Sequence, residues 1–306
     1  YNAIDPSYII CPDGKHYLIY GSWHSGIVAM RLNPNTGMPY ENIGDPWGDI
    51  SKYGKRIYTR NINSRWQASE APEIIYHNGY YYLFMAYDEL SVAYNTRVLR
   101  AKNIEGPYYG KDGRDCTNKG GEAYPILTHP YKFNNSPGWV GISHCAVFDD
   151  GEGNWYFSSQ GRLPGVNGNP YSNALMMGQV RSIRWTQDGW PVIMPERYGD
   201  VPQLTILESE LKGTWENITL EYNFGQQCSS ESMTLGSGHK ITAGFHAGGK
   251  WSYDKANAIL YIDGIPMYLQ RECDWESNPR KYTIVYSGLS NYNSIRNRKS
   301  YWGKKN

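Results

Sequence analysis

Three residues whose side chains can do acid–base or metal chemistry share one position relative to short turns. Asp5, Glu70 and His144 each lie nine residues before the glycine of a turn. Carboxyl and imidazole groups are common general acids, general bases and metal ligands. Their shared offset therefore predicts equivalent places in a repeated structural unit.

A strand–turn–strand pattern follows each of these residues. The turns lie at residues 12–15, 77–79 and 149–154. The first two contain Asp-Gly and Asn-Gly between apolar runs, which is a strong hairpin signal. A further apolar segment follows each hairpin, at residues 27–32, 97–101 and 175–180. The units start 65 and 74 residues apart, a spacing that fits a four-stranded propeller blade with its loops.

A propeller would bring the three residues together, because the first strand of each blade lines the central channel. Asp5, Glu70 and His144 are therefore expected to meet at one end of the channel. Three other interpretations remain open: Glu70 as a solvated strand end, Asp5 as a turn former before proline, and His144 as a packed channel residue.

The composition supports a β-rich protein that handles polar ligands. There are 28 Tyr, 11 Trp and 6 Phe, with 33 Gly and 17 Pro for turns. Tyr and Trp suit both β-sheets and polar-ligand surfaces. A net charge of +1 argues against nucleic-acid binding, and no apolar run is long enough for a membrane helix. The five cysteines include no CxxC pair and require no disulfide.

The pattern changes near residue 200, which predicts two domains. Residues 1–200 are predicted to form propeller blades, and residues 201–306 a small β-barrel or sandwich. In the second domain, strands are predicted at residues 204–207, 218–222, 239–243, 258–262 and 282–286. The predicted fold class is all-β.

Five segments, in this order and spacing, resemble the arabinanases of glycoside hydrolase family 43. They are Asn-Ala-Ile-Asp-Pro-Ser at 2–7, Gly-Ser-Trp-His-Ser-Gly-Ile at 21–27, Ser-Glu-Ala-Pro-Glu-Ile at 69–74, Ile-Glu-Gly-Pro-Tyr at 104–108 and Asp-Gly-Trp-Pro-Val at 188–192. Residues 203–306 resemble the C-terminal β-barrel of the larger bacterial arabinanases. The resemblance implies a five-bladed propeller that cleaves α-1,5-linked arabinofuranosyl chains with inversion.

The resemblance also implies roles for the three residues. Glu70 matches the general acid, and Asp5 matches the aspartate that orients the acid and raises its pKa. His144 matches the histidine beside a channel-bound metal, usually calcium with several waters. Glu73 competes for the acid role, but strand alternation points it away from Glu70.

Sugar contacts are expected around the channel mouth. The candidates are Trp23, His24, Ser25, Tyr87, Gln160 and Arg162. Aromatic faces and hydrogen-bonding tips are typical of carbohydrate sites, although any of these side chains could instead serve blade packing.

One expected part of the machinery is missing. The family's general base is an aspartate of the first blade, usually in His-Asp-Pro, and the chain contains no such motif. Asp5 fits the third-blade pattern better, so the chain is expected to hold blades three to five of a longer enzyme. The N-terminal blades, in the same or a separate polypeptide, would supply the base. Asp5 acting as the base is the alternative.

The expected substrate is arabinan or its oligosaccharides, and the expected location is secreted or periplasmic. An exo-acting arabinanase, an arabinofuranosidase or a xylosidase on the same scaffold is an alternative. A non-catalytic carbohydrate-binding protein is another.

Overall fold

A computed structural model describes residues 1–40, 50–90, 92–134, 136–165 and 175–306. This part of the chain is all-β, as predicted. Its helical segments are α1 (Glu208–Leu211) and the 3-10 turns Ile50–Tyr53, Ser237–His239 and Ile295–Asn297. None of these helices is long and apolar enough to cross a membrane. All five cysteines are free thiols.

Three four-stranded antiparallel sheets follow one another along the chain. The first contains β1 (Ser7–Ile10), β2 (His16–Tyr20), β3 (Ile27–Leu32) and β4 (Lys55–Tyr58), and the second β5 (Ser69–His77), β6 (Tyr80–Tyr87), β7 (Asn95–Ala101) and β8 (Ile126–Thr128). After the short β9 (Tyr131–Lys132), the third contains β10 (Ala146–Asp149), β11 (Trp155–Gly161), β12 (Met177–Trp185) and β13 (Pro191–Ile193). Within each sheet the strands pair in chain order, as in propeller blades.

The remaining strands form a nearly closed barrel. They are β14 (Gly213–Leu220), β15 (Cys228–Ser229), β16 (Glu231–Leu235), β17 (Ile241–Gly244), β18 (Trp251–Asp254), β19 (Ile259–Ile262), β20 (Ile265–Asp274), β21 (Lys281–Leu289) and β22 (Ser300–Lys305). Eight of them make one sheet in the order β17-β16-β14-β22-β21-β20-β19-β18, while β15 pairs in parallel with β9. A bridge between Lys240 and Lys250 joins the two ends of the large sheet.

The chain divides into two compact units. The first comprises Tyr1–Glu89, Asn95–Pro125 and Ser143–Val147, and the second comprises Leu90–Tyr94, Ile126–Ile142 and Phe148–Asn306. The second unit thus includes both the barrel and most of the third sheet.

The turn residues and the alternation of apolar residues along the strands explain the hairpins and the packing of the first unit. The turn at Asn78 and Gly79 has φ angles of 46° and 79°, which suits the type I′ hairpin turn that Asn-Gly favours. One face of β1 and β2, including Ile9 and Ile19, packs with Leu83 and other apolar side chains of the second sheet. This contact is the core of the unit.

The opposite face of the first sheet is buried along β2 and β3, where Tyr20, Val28 and Met30 form a second apolar cluster, but it is exposed along β1. Tyr8 and Ile10 alternate with the buried residues of β1, yet they are 52% and 57% exposed. In the second unit the third sheet likewise presents Phe148, 45% exposed and stacked on Tyr156, and the exposed Val180. Exposed apolar sheet faces of this kind mark surfaces that normally contact further protein.

The prediction of a strand at 204–207 is wrong. Leu204 is 71% exposed, and the guanidinium of Arg271 donates to the carbonyls of Leu204 and Thr205. These backbone groups are therefore satisfied by a side chain rather than by a strand ladder, and the segment is a linker leading to α1.

A buried ionic cluster lies in the second unit. Lys304 Nζ is 2.9 Å from Glu196 Oε1, 2.9 Å from Asp274 Oδ1 and 3.3 Å from Glu276 Oε2. Burial alone would lower the pKa of Lys304, but the nearby carboxylates of Glu196 and Glu276 raise it. The cluster connects the segment after β13 with β20 and β22 of the barrel.

Removing the central cation of this cluster should strongly destabilise the chain. We expect Lys304→Met to lower the free energy of unfolding by about 3–5 kcal/mol, because it leaves buried carboxylates unpaired. Lys299→Met is the matched control, since Lys299 pairs with Glu221 at 2.6 Å on the surface and should cost about 1 kcal/mol or less. Denaturant titration of both variants measures the difference. Equal losses in the two variants would contradict a structural role for the cluster.

Candidate active site

The structure brings Asp5, Glu70 and His144 together within the first unit. The backbone N–H of Ala71 donates to Asp5 Oδ2 at 3.2 Å, and His144 Nε2 lies 4.0 Å from Asp5 Oδ1. The hydroxyl of Ser22 donates to Glu70 Oε2 at 2.9 Å and also hydrogen-bonds with Asp5. One hydroxyl therefore contacts both carboxyl groups.

Unusual backbone geometry points these side chains inward. Asp5, Ala71 and His144 have φ angles of 55°, 49° and 57°, in the left-handed region that costs non-glycine residues roughly 1–2 kcal/mol each. In β5 the register also shifts between Glu70 and Glu73. Strained residues that persist in a folded chain cluster at functional sites, so this strain supports a site here.

The electrostatics of the site centre on Asp5. Burial raises the pKa of the Asp5 carboxyl, and the negative charge of Glu70 adds to the rise. His144 and the hydrogen bonds from Ala71 and Ser22 oppose it. The raised pKa of Asp5 thus results from its burial beside a second carboxylate.

Glu73, the competing acid candidate, is engaged elsewhere. Its carboxylate accepts hydrogen bonds from the hydroxyl of Ser7 at 2.8 Å and from the backbone N–H of Val147 at 3.1 Å. Burial raises the pKa of Glu73. Glu73 thus links three strands, β1, β5 and β10, and does not join the contact between Asp5 and Glu70.

The loop carrying Trp23, His24 and Ser25 borders Glu70. Its flanking glycines are required, because a Cβ at Gly21 or Gly26 would lie 2.5 Å or 2.2 Å from a backbone oxygen. The N–H of Ser25 donates to the carbonyl of Arg65 at 2.7 Å. The three predicted sugar-contact residues are therefore held in one half-exposed loop.

Trp66 and Ser22 were not predicted as site residues. Trp66 is 59% exposed, and its ring centroid lies 5.2 Å from those of both Trp23 and His24. Ser22 could have been found within the Gly-Ser-Trp-His motif, whereas nothing in the sequence around Trp66 marks it.

Tyr87, a predicted sugar contact, does not reach the surface. It is fully buried, its ring lies 4.4 Å and 4.8 Å from the guanidinium carbons of Arg60 and Arg97, and its hydroxyl accepts the N–H of Ala123 at 2.9 Å. These neighbours enclose the ring and engage its hydroxyl group. The structure therefore gives Tyr87 a packing position.

Gln160 and Arg162 lie in the second unit, where they contact each other. Arg162 Nη2 donates to Gln160 Oε1 at 3.4 Å. Arg162 is almost completely buried, and burial lowers the pKa of its guanidinium. Their neighbours within this unit show no arrangement that assigns either of them to a sugar.

Two places in the structure are candidates for metal binding. His144, the predicted ligand, is 47% exposed and adjoins one carboxylate, so most of the six to eight oxygen ligands that calcium takes would have to be water. In the described residues Glu196, Asp274 and Glu276 are close enough together to share an ion. However, the ammonium of Lys304 already lies among them and occupies the position that a cation would take.

Comparison with protein-family models identifies the larger part of the chain. Residues 1–191 match the model for glycosyl hydrolases family 43, and residues 195–303 match the model for a C-terminal lipocalin-like domain of that family. The chain belongs to glycosyl hydrolase family 43. The family resemblance inferred from the short motifs is thereby confirmed.

Two relatives of this family 43 chain are named endo-arabinanases. It is 28% identical to the extracellular endo-α-(1→5)-L-arabinanase of Thermotoga petrophila, covering 95% of this chain and 62% of that protein. It is 29% identical to extracellular endo-α-(1→5)-L-arabinanase 2 of Bacillus subtilis, covering 94% of this chain and 62% of that protein. The crystal structure of endo-1,5-α-L-arabinanase from T. petrophila matches with a TM-score of 0.82 at 25% identity, covering 100% of this chain and 68% of that one. The chain thus spans less than two thirds of the length of the two relatives.

Proposed function

We propose that this chain carries the general acid of an enzyme that hydrolyses α-1,5-linked L-arabinofuranosyl chains with inversion. The observation that carries the proposal is the contact of Asp5 and Glu70 through Ser22, in a chain of family 43. The endo-arabinanase relatives support arabinan as the substrate.

In the proposed reaction Glu70 protonates the leaving oxygen as the bond from that oxygen to the anomeric carbon breaks. Ser22 donates to Oε2 of Glu70 and so helps to fix the orientation of the acid. Asp5 is proposed to orient the acid from the other side of this contact. A water attacks the anomeric carbon from the opposite face and gives its proton to a base.

That base is proposed to come from an N-terminal portion outside this chain. An inverting enzyme needs acid and base carboxyl groups about 6.5–9.5 Å apart, whereas Asp5 contacts the same hydroxyl as Glu70. Asp5 is therefore assigned the orienting role and not the base role. The partial coverage of the relatives supports a longer enzyme.

The exposed apolar sheet faces support the same proposal. The exposed Tyr8 and Ile10 of the first sheet and Phe148 of the third are suited to contact further blades. We assign blades three to five of a five-bladed propeller to residues 1–200 and the C-terminal barrel to residues 201–306. The N-terminal blades would pack on both faces.

Two further features belong to the proposal. His144 would hold a hydrated calcium ion, which supplies positive charge beside Asp5 when bound. The relatives named extracellular support a secreted or periplasmic location, where a polymer substrate is encountered.

Digestion of linear arabinan by the complete enzyme, containing this chain and its N-terminal portion, tests the function. A spread of arabino-oligosaccharides at early times is expected for an endo-acting enzyme, and a single short product would indicate exo action. Binding without any product would favour a non-catalytic carbohydrate-binding protein.

A further inference from the structure

Trp66 is an exposed aromatic side chain held by other rings. It exposes 59% of its surface, although the ring of Trp23 meets it at an interplanar angle of 63° and that of His24 at 46°. Exposure of a single ring is common on protein surfaces, but here three aromatic rings lie together beside the candidate acid, which is the composition of a carbohydrate site.

The loop bearing Trp66 is rigid because the buried side chain of Gln67 fastens it. Gln67 Oε1 accepts the backbone N–H groups of Arg60 and Asn61 at 2.7 Å and 2.9 Å. Gln67 Nε2 donates to the carbonyls of Asn61 and Ser64 at 2.8 Å and 2.5 Å. A ring held this way loses little conformational entropy when a ligand stacks on it.

Backbone contacts also fix this loop beside the candidate acid. The N–H of Trp23 donates to the carbonyl of Ser69 at 2.9 Å, and the N–H of Gln67 donates to the carbonyl of Trp23 at 2.7 Å. Ser69 directly precedes Glu70, which Ser22 contacts. The loop bearing Trp66 is thus joined by backbone hydrogen bonds to the loop of Trp23 and, through Ser69, to the strand that carries Glu70.

We propose that Trp66 is a stacking platform for a furanose ring of the substrate on the leaving-group side of the cleaved bond. The inference rests on the proposed function, because the acid must lie beside the leaving oxygen. C–H groups of a sugar ring pack on an indole face, while nearby polar atoms bind hydroxyl groups. Trp66 contributes to the affinity for the arabinan chain and takes no part in proton transfer.

The test compares Trp66→Ala, Trp66→Phe and Tyr76→Ala in the complete enzyme. Tyr76 is the matched control, because it is an exposed ring packed on another ring, Tyr81, at the other end of β5. Each change is made in a Glu70→Gln background that prevents turnover. Calorimetry then measures binding of linear arabino-oligosaccharides and xylo-oligosaccharides.

We expect Trp66→Ala to weaken oligosaccharide binding about three- to tenfold, with Trp66→Phe intermediate and Tyr76→Ala unchanged. With Glu70 restored, Trp66→Ala should lower kcat/KM for oligosaccharides but much less for arabinofuranosyl fluoride, whose small leaving group does not reach the platform. If Trp66→Ala binds every sugar as its parent does, the platform is overturned. Trp66-dependent binding of xylo-oligosaccharides alone would keep Trp66 as a sugar platform but overturn both the furanose ring and arabinan, because xylo-oligosaccharides consist of pyranose rings.

Discussion

Glu70→Gln in the complete enzyme should lower kcat on linear arabinan by about 10²–10⁴-fold, the usual contribution of a general acid. Glutamine keeps the size of the side chain and can still accept the hydrogen bond from Ser22, but it cannot deliver a proton to the leaving oxygen. Reducing-sugar release under saturating substrate measures the loss.

Two controls make this result specific. A dinitrophenyl arabinofuranoside needs little protonation of its leaving group, so Glu70→Gln should slow its hydrolysis far less than that of arabinan. Glu73→Gln should leave kcat nearly unchanged, since Glu73 bonds to Ser7 and Val147 and acts in packing. A large loss of kcat in Glu73→Gln with near-normal turnover in Glu70→Gln would reverse the assignment.

Residues 1–306 alone should hydrolyse linear arabinan at least about 10²-fold more slowly than the complete enzyme, because the activated water requires a base. Adding the N-terminal portion, fused or as a separate chain, should restore activity. Parallel assays at equal protein concentration measure both values. Hydrolysis by residues 1–306 alone at the rate of the complete enzyme would instead favour Asp5 as the base.

The positions of Asp5, Glu70 and His144 could be predicted because they depend on local turn chemistry. Short turns such as Asn78-Gly79 fix hairpin register, so a constant offset from them identifies equivalent strand positions. Asp5 and His144 each lie two residues before β1 and β10. Glu70 has the same offset although it lies within β5 (Ser69–His77), where the register shifts between Glu70 and Glu73.

The predictions that failed concern residues whose positions depend on contacts between segments far apart in the sequence. Tyr87 ends an apolar strand, and nothing in the sequence shows that Arg60 and Arg97 would enclose its ring. The apolar pattern at 204–207 resembles a strand, but Arg271, far along the chain, binds its carbonyls. Likewise Trp66 gains its position only when its loop meets the one carrying Trp23.

The cluster around Lys304 could not be predicted from the sequence for a different reason. Glu196, Asp274 and Glu276 could be read as metal ligands from their residue types, but Lys304 approaches them only because β20 and β22 lie in one barrel sheet. Long-range pairing of this kind has no local signature, so the cation in the cluster could not be predicted.

The most direct test is proton NMR of linear arabinan during the first minutes of digestion by the complete enzyme. We expect the newly formed reducing ends to appear first in the β configuration, inverted from the α linkage, and Glu70→Gln to suppress this signal. Initial appearance of the α configuration, or an unchanged rate in Glu70→Gln, would contradict an inverting hydrolase in which Glu70 is the acid.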